Sequence, residues 1–192
     1  SHGRTTPATN KLLLRNLTPV KLMDGTVVDN AGYGAVCMNC HQSRQNASIY
    51  VTTTVGSARF GPHHSPQADM LAGANGFNYG RYIPSSAHVF VVEDTCAHCH
   101  MQPATGTTDP AFLKSGGHTF KMGIEGDDKK PPVYRVEACY KCHGPKTSLF
   151  DYQLMDYDND GAIDGVQTEI QRLLDRLALQ LPPVGKPKTE LA

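Results

Sequence analysis

The sequence predicts a chain that is mostly loop, with short α-helices, a small N-terminal β-hairpin and one longer helix near the C-terminus. Three observations predict it. The 192 residues include 18 Gly and 13 Pro, which punctuate the chain too often for long regular elements. Apolar residues make up only 39% and Trp is absent, so side chains alone are short of material for a continuous core. Helical periodicity is sustained in one stretch only, from Val166 to Leu181.

The elements follow in order. Val20 to Val28 reads as a hairpin turning at Asp24-Gly25. A helix is expected to run from Cys37 to about Tyr50, and a shorter one from Gln67 to Ala72. Residues 52–66, 73–87, 102–117 and 123–133 are rich in Gly, Pro, Ser, Thr and Asp and read as loops. In the C-terminal helix, Val166, Ile170, Leu173, Leu174, Leu177 and Leu181 form one stripe, which reads as core packing. Pro182-Pro183 ends it. The length suits a single domain, 1–192, with an N-terminal segment 1–35, a middle region 36–150 and a C-terminal region 151–192.

Charge and hydropathy exclude several functions. Lys plus Arg and Asp plus Glu both number 18, so composition leaves no electrostatic footprint for nucleic acid or an anionic membrane. No run of about 18 apolar residues is present to span a membrane. The N-terminus has no basic-then-apolar leader, and the expectation is an exported chain whose signal peptide has been removed.

The six cysteines decide the class. They form three pairs, each followed at once by His: Cys37-Met-Asn-Cys40-His41, Cys96-Ala-His-Cys99-His100 and Cys139-Tyr-Lys-Cys142-His143. An even count in a loop-rich chain is also what a disulfide framework shows, but here every pair has identical spacing and the same neighbour. Zinc sites combine two Cys-x-x-Cys pairs, which leaves the third unmatched and gives no reason for the His. Thioredoxin-like pairs occur near a βαβ pattern that is missing. Two thiols one helical turn apart can each add to a vinyl group of one porphyrin, and the adjacent His then ligates the iron. The expectation is three covalent haems, whose flat apolar bodies also supply the missing core.

Six His remain: His2, His63, His64, His88, His98 and His118. That surplus favours His on both faces of each haem, whereas the six Met show no pattern tied to the motifs. His63 and His64 sit in a Gly/Pro-punctuated loop before Gln67. His88 follows Pro84-Ser-Ser-Ala, and His118 follows Gly116-Gly117, where glycine lets backbone approach a haem face. His98 lies inside its own motif and reads as a packing or hydrogen-bonding residue, with service to a neighbouring haem as the alternative. His2 lies at the terminus and reads as solvent-exposed.

The segments His63-His-Ser-Pro-Gln-Ala-Asp-Met-Leu71, Ser86-Ala-His88 ahead of the second motif, and Gly116-Gly-His118-Thr-Phe120 resemble the multihaem cytochrome c family, over about Val36 to Leu181. The resemblance implies an architecture of stacked haems forming one trihaem domain. It implies His63 (or His64), His88 and His118 as distal ligands. It includes extracellular filament-forming cytochromes, in which His2 or His64 would serve a neighbouring subunit, as well as monomeric periplasmic shuttles. Iron with His on both faces has no open position, so the expected function is electron transfer and not catalysis. Multihaem oxidoreductases of the nitrite reductase or hydroxylamine oxidoreductase type need an open iron, and the former mark it with Cys-x-x-Cys-Lys, which this sequence lacks.

Ahead of the last helix, Asp156, Asp158, Asp160, Gly161, Ile163 and Asp164 match an EF-hand-type calcium loop, with the Ala162 carbonyl at position 7. Position 12 is Gln167 where Glu is usual, and Glu169 stands two residues on as a substitute. The same run also reads as an Asx-turn capping the helix.

Overall fold

The computed structural model describes residues 19–53, 65–82, 84–103, 113–145 and 151–181. The chain forms two compact units, Ser1–Ile124 and Glu125–Ala192. Loops dominate both. Among the described residues no helix is long and apolar enough to cross a membrane.

The first unit opens with the expected hairpin. Strands β1 (Val20–Lys21) and β2 (Val27–Val28) pair antiparallel, Val20 facing Val28. Gly25 takes φ +96°, and the Asp24 carboxylate accepts from the Thr26 amide and hydroxyl. Helices α1 (Ala35–Met38), α2 (Ala47–Thr53), α3 (Gln67–Ala72), α4 (His88–Val91) and α5 (Cys96–His100) follow. The hairpin, α1, α3 and α4 enclose a small core of Val20, Leu22, Val28, Ala31, Ala35, Met38, Ala68 and Val89. Strand β3 (Gly123–Ile124) closes the unit.

The helix expected from Cys37 to Tyr50 is broken into α1 and α2. Asn39 ends the first piece: its amide and its Nδ2 both donate to the Ala35 carbonyl. Side chains from beyond α2 then take the next amides. Asp69 accepts from Ser43 N at 2.7 Å and Asn75 from Ala47 N at 2.7 Å. Asn75 also donates to Asp69 and to the Gln45 carbonyl. These buried tertiary bonds replace helical ones, and the chain follows them.

A second set of bonds locks α1 to α5. Gly34 N donates to the Asp94 carbonyl at 3.1 Å, Tyr33 N to the Asp94 carboxylate, and the buried Thr95 hydroxyl to the Ala31 carbonyl at 2.8 Å. The backbones approach so closely that a Cβ on Gly34 would fall 2.7 Å from the Asp94 carbonyl oxygen. Glycine is required there.

In the second unit, β4 (Val133–Tyr134) leads to a 3₁₀ turn at Glu137–Cys139 that runs directly into α6 (Tyr140–His143). Residues 151–153 then lie against the start of α7 (Val166–Ala178), with Gln153 bridged to Gly165. The stripe of α7 does not pack as expected. Ile170, Leu174 and Leu177 are 48%, 47% and 55% exposed, while Glu169 and Ala178 are the residues it buries. The loop ahead of α7 turns the helix so that Glu169 faces inward, and the leucines then point away.

Candidate haem-attachment sites and an acidic loop

Each Cys-x-x-Cys-His motif occupies about one helical turn. In the first, Cys37 lies in α1, and the Cys40 and His41 amides both fold back onto its carbonyl at 3.0 and 2.8 Å. Helix α3 holds this turn in place, Ala68 N donating to the His41 carbonyl at 2.9 Å. Cys40 and His41 are exposed. Burial raises the Cys37 thiol above its ordinary value.

The second motif is the whole of α5. Cys96 packs against the small core. Its thiol is raised first by burial and then by Cys37, so the leading cysteines of the two motifs share one neighbourhood. His100 is exposed, and its Nδ1 lies 2.9 Å from the Phe120 carbonyl. A carbonyl only accepts, so Nδ1 carries the proton and Nε2 keeps its lone pair for a metal.

The third motif runs from the 3₁₀ turn through α6. The His143 ring stacks on Tyr152, with centroids 4.8 Å apart and planes at 27°. Beside them opens a cleft of about 610 Å³, lined by Cys142, His143, Asp151, Tyr152, Gln153 and Leu154 among others. That volume lies in the range of small-molecule and cofactor sites. Burial, then the Cys139 thiol, pushes the Tyr152 phenol up to about 12. Its hydroxyl makes no hydrogen bond of proper geometry.

These residues fit covalently attached haem. None of the six cysteines forms a disulfide, and all are exposed or half-buried. The three motif His are likewise exposed or half-buried, not consumed by the core.

Of the distal candidates, His88 opens α4, is exposed, and has its Nδ1 2.6 Å from the Ser86 hydroxyl. His118 sits in a 3₁₀ turn, Gly117–Thr119, with its ring edge-on to Phe120. That turn is tied to the second motif, because Gly117 N reaches the Gln102 carbonyl and His100 reaches the Phe120 carbonyl. His98 is half-buried within α5. His2, His63 and His64 lie outside the described residues.

The acidic loop is rearranged relative to its sequence pattern. Carboxylate oxygens of Asp156, Asp158 and Glu169 all lie within 4.8 Å of one another. Glu169 is fully buried and accepts from the amides of Tyr157, Asp158 and Asp164. Asp160 and Asp164 turn instead to Arg172, whose Nη1 lies 2.7 and 2.6 Å from them and 3.7 Å from Asp158. Asp164 foremost holds that guanidinium above its ordinary value. Ala162 is exposed, and its amide donates to the Asp160 carboxylate. The gathered set is therefore Asp156, Asp158 and Glu169. Of the five positions in the sequence pattern, the cluster keeps two.

Nothing matches this chain among protein-family models, curated proteins or solved structures.

Proposed function

We propose that the chain is a trihaem c-type cytochrome that carries electrons outside the cytoplasm. The observation that supports this best is the thrice-repeated presentation of two cysteines outside any disulfide and a His within about one helical turn. When bound, haem iron passes between its ferric and ferrous states by one electron. The chain's own residues do the rest of the work. Cys37 and Cys40, Cys96 and Cys99, and Cys139 and Cys142 form the thioether bonds. His41, His100 and His143 ligate from one face, and His88, His118 and His63 or His64 from the other. The Phe120 carbonyl keeps the His100 Nδ1 protonated and its Nε2 aimed outward.

The test is mass and spectrum. The purified chain carries three haem masses, keeps them through acid–acetone extraction, and is low-spin throughout when oxidised. A zinc-loaded protein with no Soret band ends this reading; a high-spin ferric signal instead favours a multihaem oxidoreductase.

A second reading concerns the acidic loop, for which we propose calcium. The converging oxygens of Asp156, Asp158 and Glu169 favour it, since two of those three carboxylates are buried and buried charge calls for a cation. The proposal extends to self-association into an extracellular filament, against a monomeric periplasmic shuttle. The exposed stripe of α7 offers apolar surface for such a contact.

A further inference from the structure

We propose that Asn46 is an N-glycosylation site, its side-chain amide carrying a glycan on the exported chain. The inference rests on the reading that the chain works outside the cytoplasm. Asn46-Ala47-Ser48 is an acceptor triplet, Asn-x-Ser with a residue other than Pro between. A second triplet, Asn16-Leu17-Thr18, lies outside the described residues.

The structure sets Asn46 at the head of α2. Its carbonyl accepts from Tyr50 N at 2.9 Å and its Oδ1 from Ile49 N at 3.2 Å, so it caps the helix through oxygen alone. The Nδ2 group has two N–H donors, and among the described residues neither meets a partner. The backbone on either side is fastened to Asn75, whose Nδ2 donates to the Gln45 carbonyl at 2.9 Å and whose Oδ1 accepts from Ala47 N at 2.7 Å. Ala47 is thereby held inward, fully buried, while Asn46 is only half-buried. Ser48 is exposed and Ile49 is 61% exposed, so solvent reaches this first turn. Capping accounts for an oxygen at position 46. It gives no use to the amide nitrogen or to the Ser48 hydroxyl, whereas glycosylation uses both: the transferase reads the hydroxyl and loads the nitrogen.

The sugar donor is of the polyprenyl-phosphate-linked class. Nδ2 bonds to the anomeric carbon of the sugar and gives up one proton. The bond from that carbon to the phosphate oxygen breaks, and its electron pair leaves with the lipid phosphate. Oδ1 is untouched, so the modified residue still caps α2.

The experiment weighs the intact chain purified from the organism that makes it, maps its peptides, and repeats both on variants made in that organism. The native mass is expected to exceed sequence plus haem by a glycan located on Asn46. Ser48→Ala and Asn46→Asp both leave a capping oxygen at position 46 and are expected to lose that glycan; Ser48→Thr is expected to keep it. An unmodified Asn46 in the native chain, with three haem masses present, overturns the inference while the haem reading stands. A glycan that maps only to Asn16 overturns it as well, as does a mass on Asn46 that survives Ser48→Ala. The native chain decides alone if a variant does not fold. A chain that fractionates with the cytoplasm, Asn46 unmodified, removes the export reading and this inference together.

Discussion

Asp151 does for α7 what the helix's own N-cap cannot. Gly165 occupies the cap and has no side chain to offer. The Asp151 carboxylate, sixteen residues before Gln167, accepts the Gln167 amide at 2.7 Å, the Thr168 amide at 3.3 Å and the Thr168 hydroxyl at 2.6 Å. Those are first-turn donors that a cap normally satisfies. The Thr168 hydroxyl first, and then the two amides, hold the carboxyl below its ordinary value of 3.8. The sign follows from linkage. A carboxyl depressed in the folded state adds stability that is complete above 3.8 and is lost as pH falls through the lower folded value. Asp151→Ala should cost about 1 kcal/mol, as loss of a cap does, seen as a lower melting temperature at neutral pH. Asp151→Asn should flatten the acid limb of the stability curve below about pH 4; an unchanged acid limb assigns that limb to other carboxylates. Capping motifs are read from neighbouring residues, so a cap delivered from a distant strand left no local signal in the sequence.

Elements were legible where local chemistry agreed with the fold. The Asp24-Gly25 turn set the hairpin, and α3 runs over the same residues that its composition marked, Gln67 to Ala72. The break between α1 and α2 was not legible, because its cause is Asp69 and Asn75 reaching back from beyond α2. One clue was present: Asn46 accepts from the Ile49 amide, an ordinary N-cap. The periodicity of α7 correctly gave a helix but misjudged its buried face. A stripe records which residues are apolar, and the acidic loop decides which side turns inward. That loop was read as Asp156, Asp158, Asp160, Ala162 and Asp164, with Glu169 as a substitute; the structure gathers Asp156, Asp158 and that same Glu169. Arg172, four residues before Arg176 on the same helix, was not foreseen as the partner of Asp160 and Asp164. The calcium proposal makes a plain prediction at this scale. Thorough chelation should lower the melting temperature, with recovery on adding calcium, by linkage to the folded state. No shift would mean that Arg172 and the three amides on Glu169 suffice to hold the loop.

At the scale of the whole molecule, the shortage of apolar residues foreseen from composition is visible in how little is buried. Among the described residues, the first unit's core cluster holds eight, three of them alanine, while Phe90 and Val91 on α4 are 73% and 63% exposed. Covalent haem would give such residues something to pack on, which is why loss of one attachment site should cost more than its electrons. If copies of the chain associate head to tail, the contact does not close on itself and gives an open helix. Gel filtration should then show concentration-dependent species and electron microscopy fibres; a sharp monomer peak at every concentration, without fibres, assigns the shuttle role instead. The lock between α1 and α5 has a consequence in time. Thr95 and Ala31 are 64 residues apart, so a chain made from its N-terminus has its first Cys-x-x-Cys-His complete well before the partner of that lock exists. Closing so long a loop is entropically costly and comes late. Until Gly34 and Asp94 meet, the turn that carries Cys37 has only its own local bonds, and the first two motifs come together as a late step of folding.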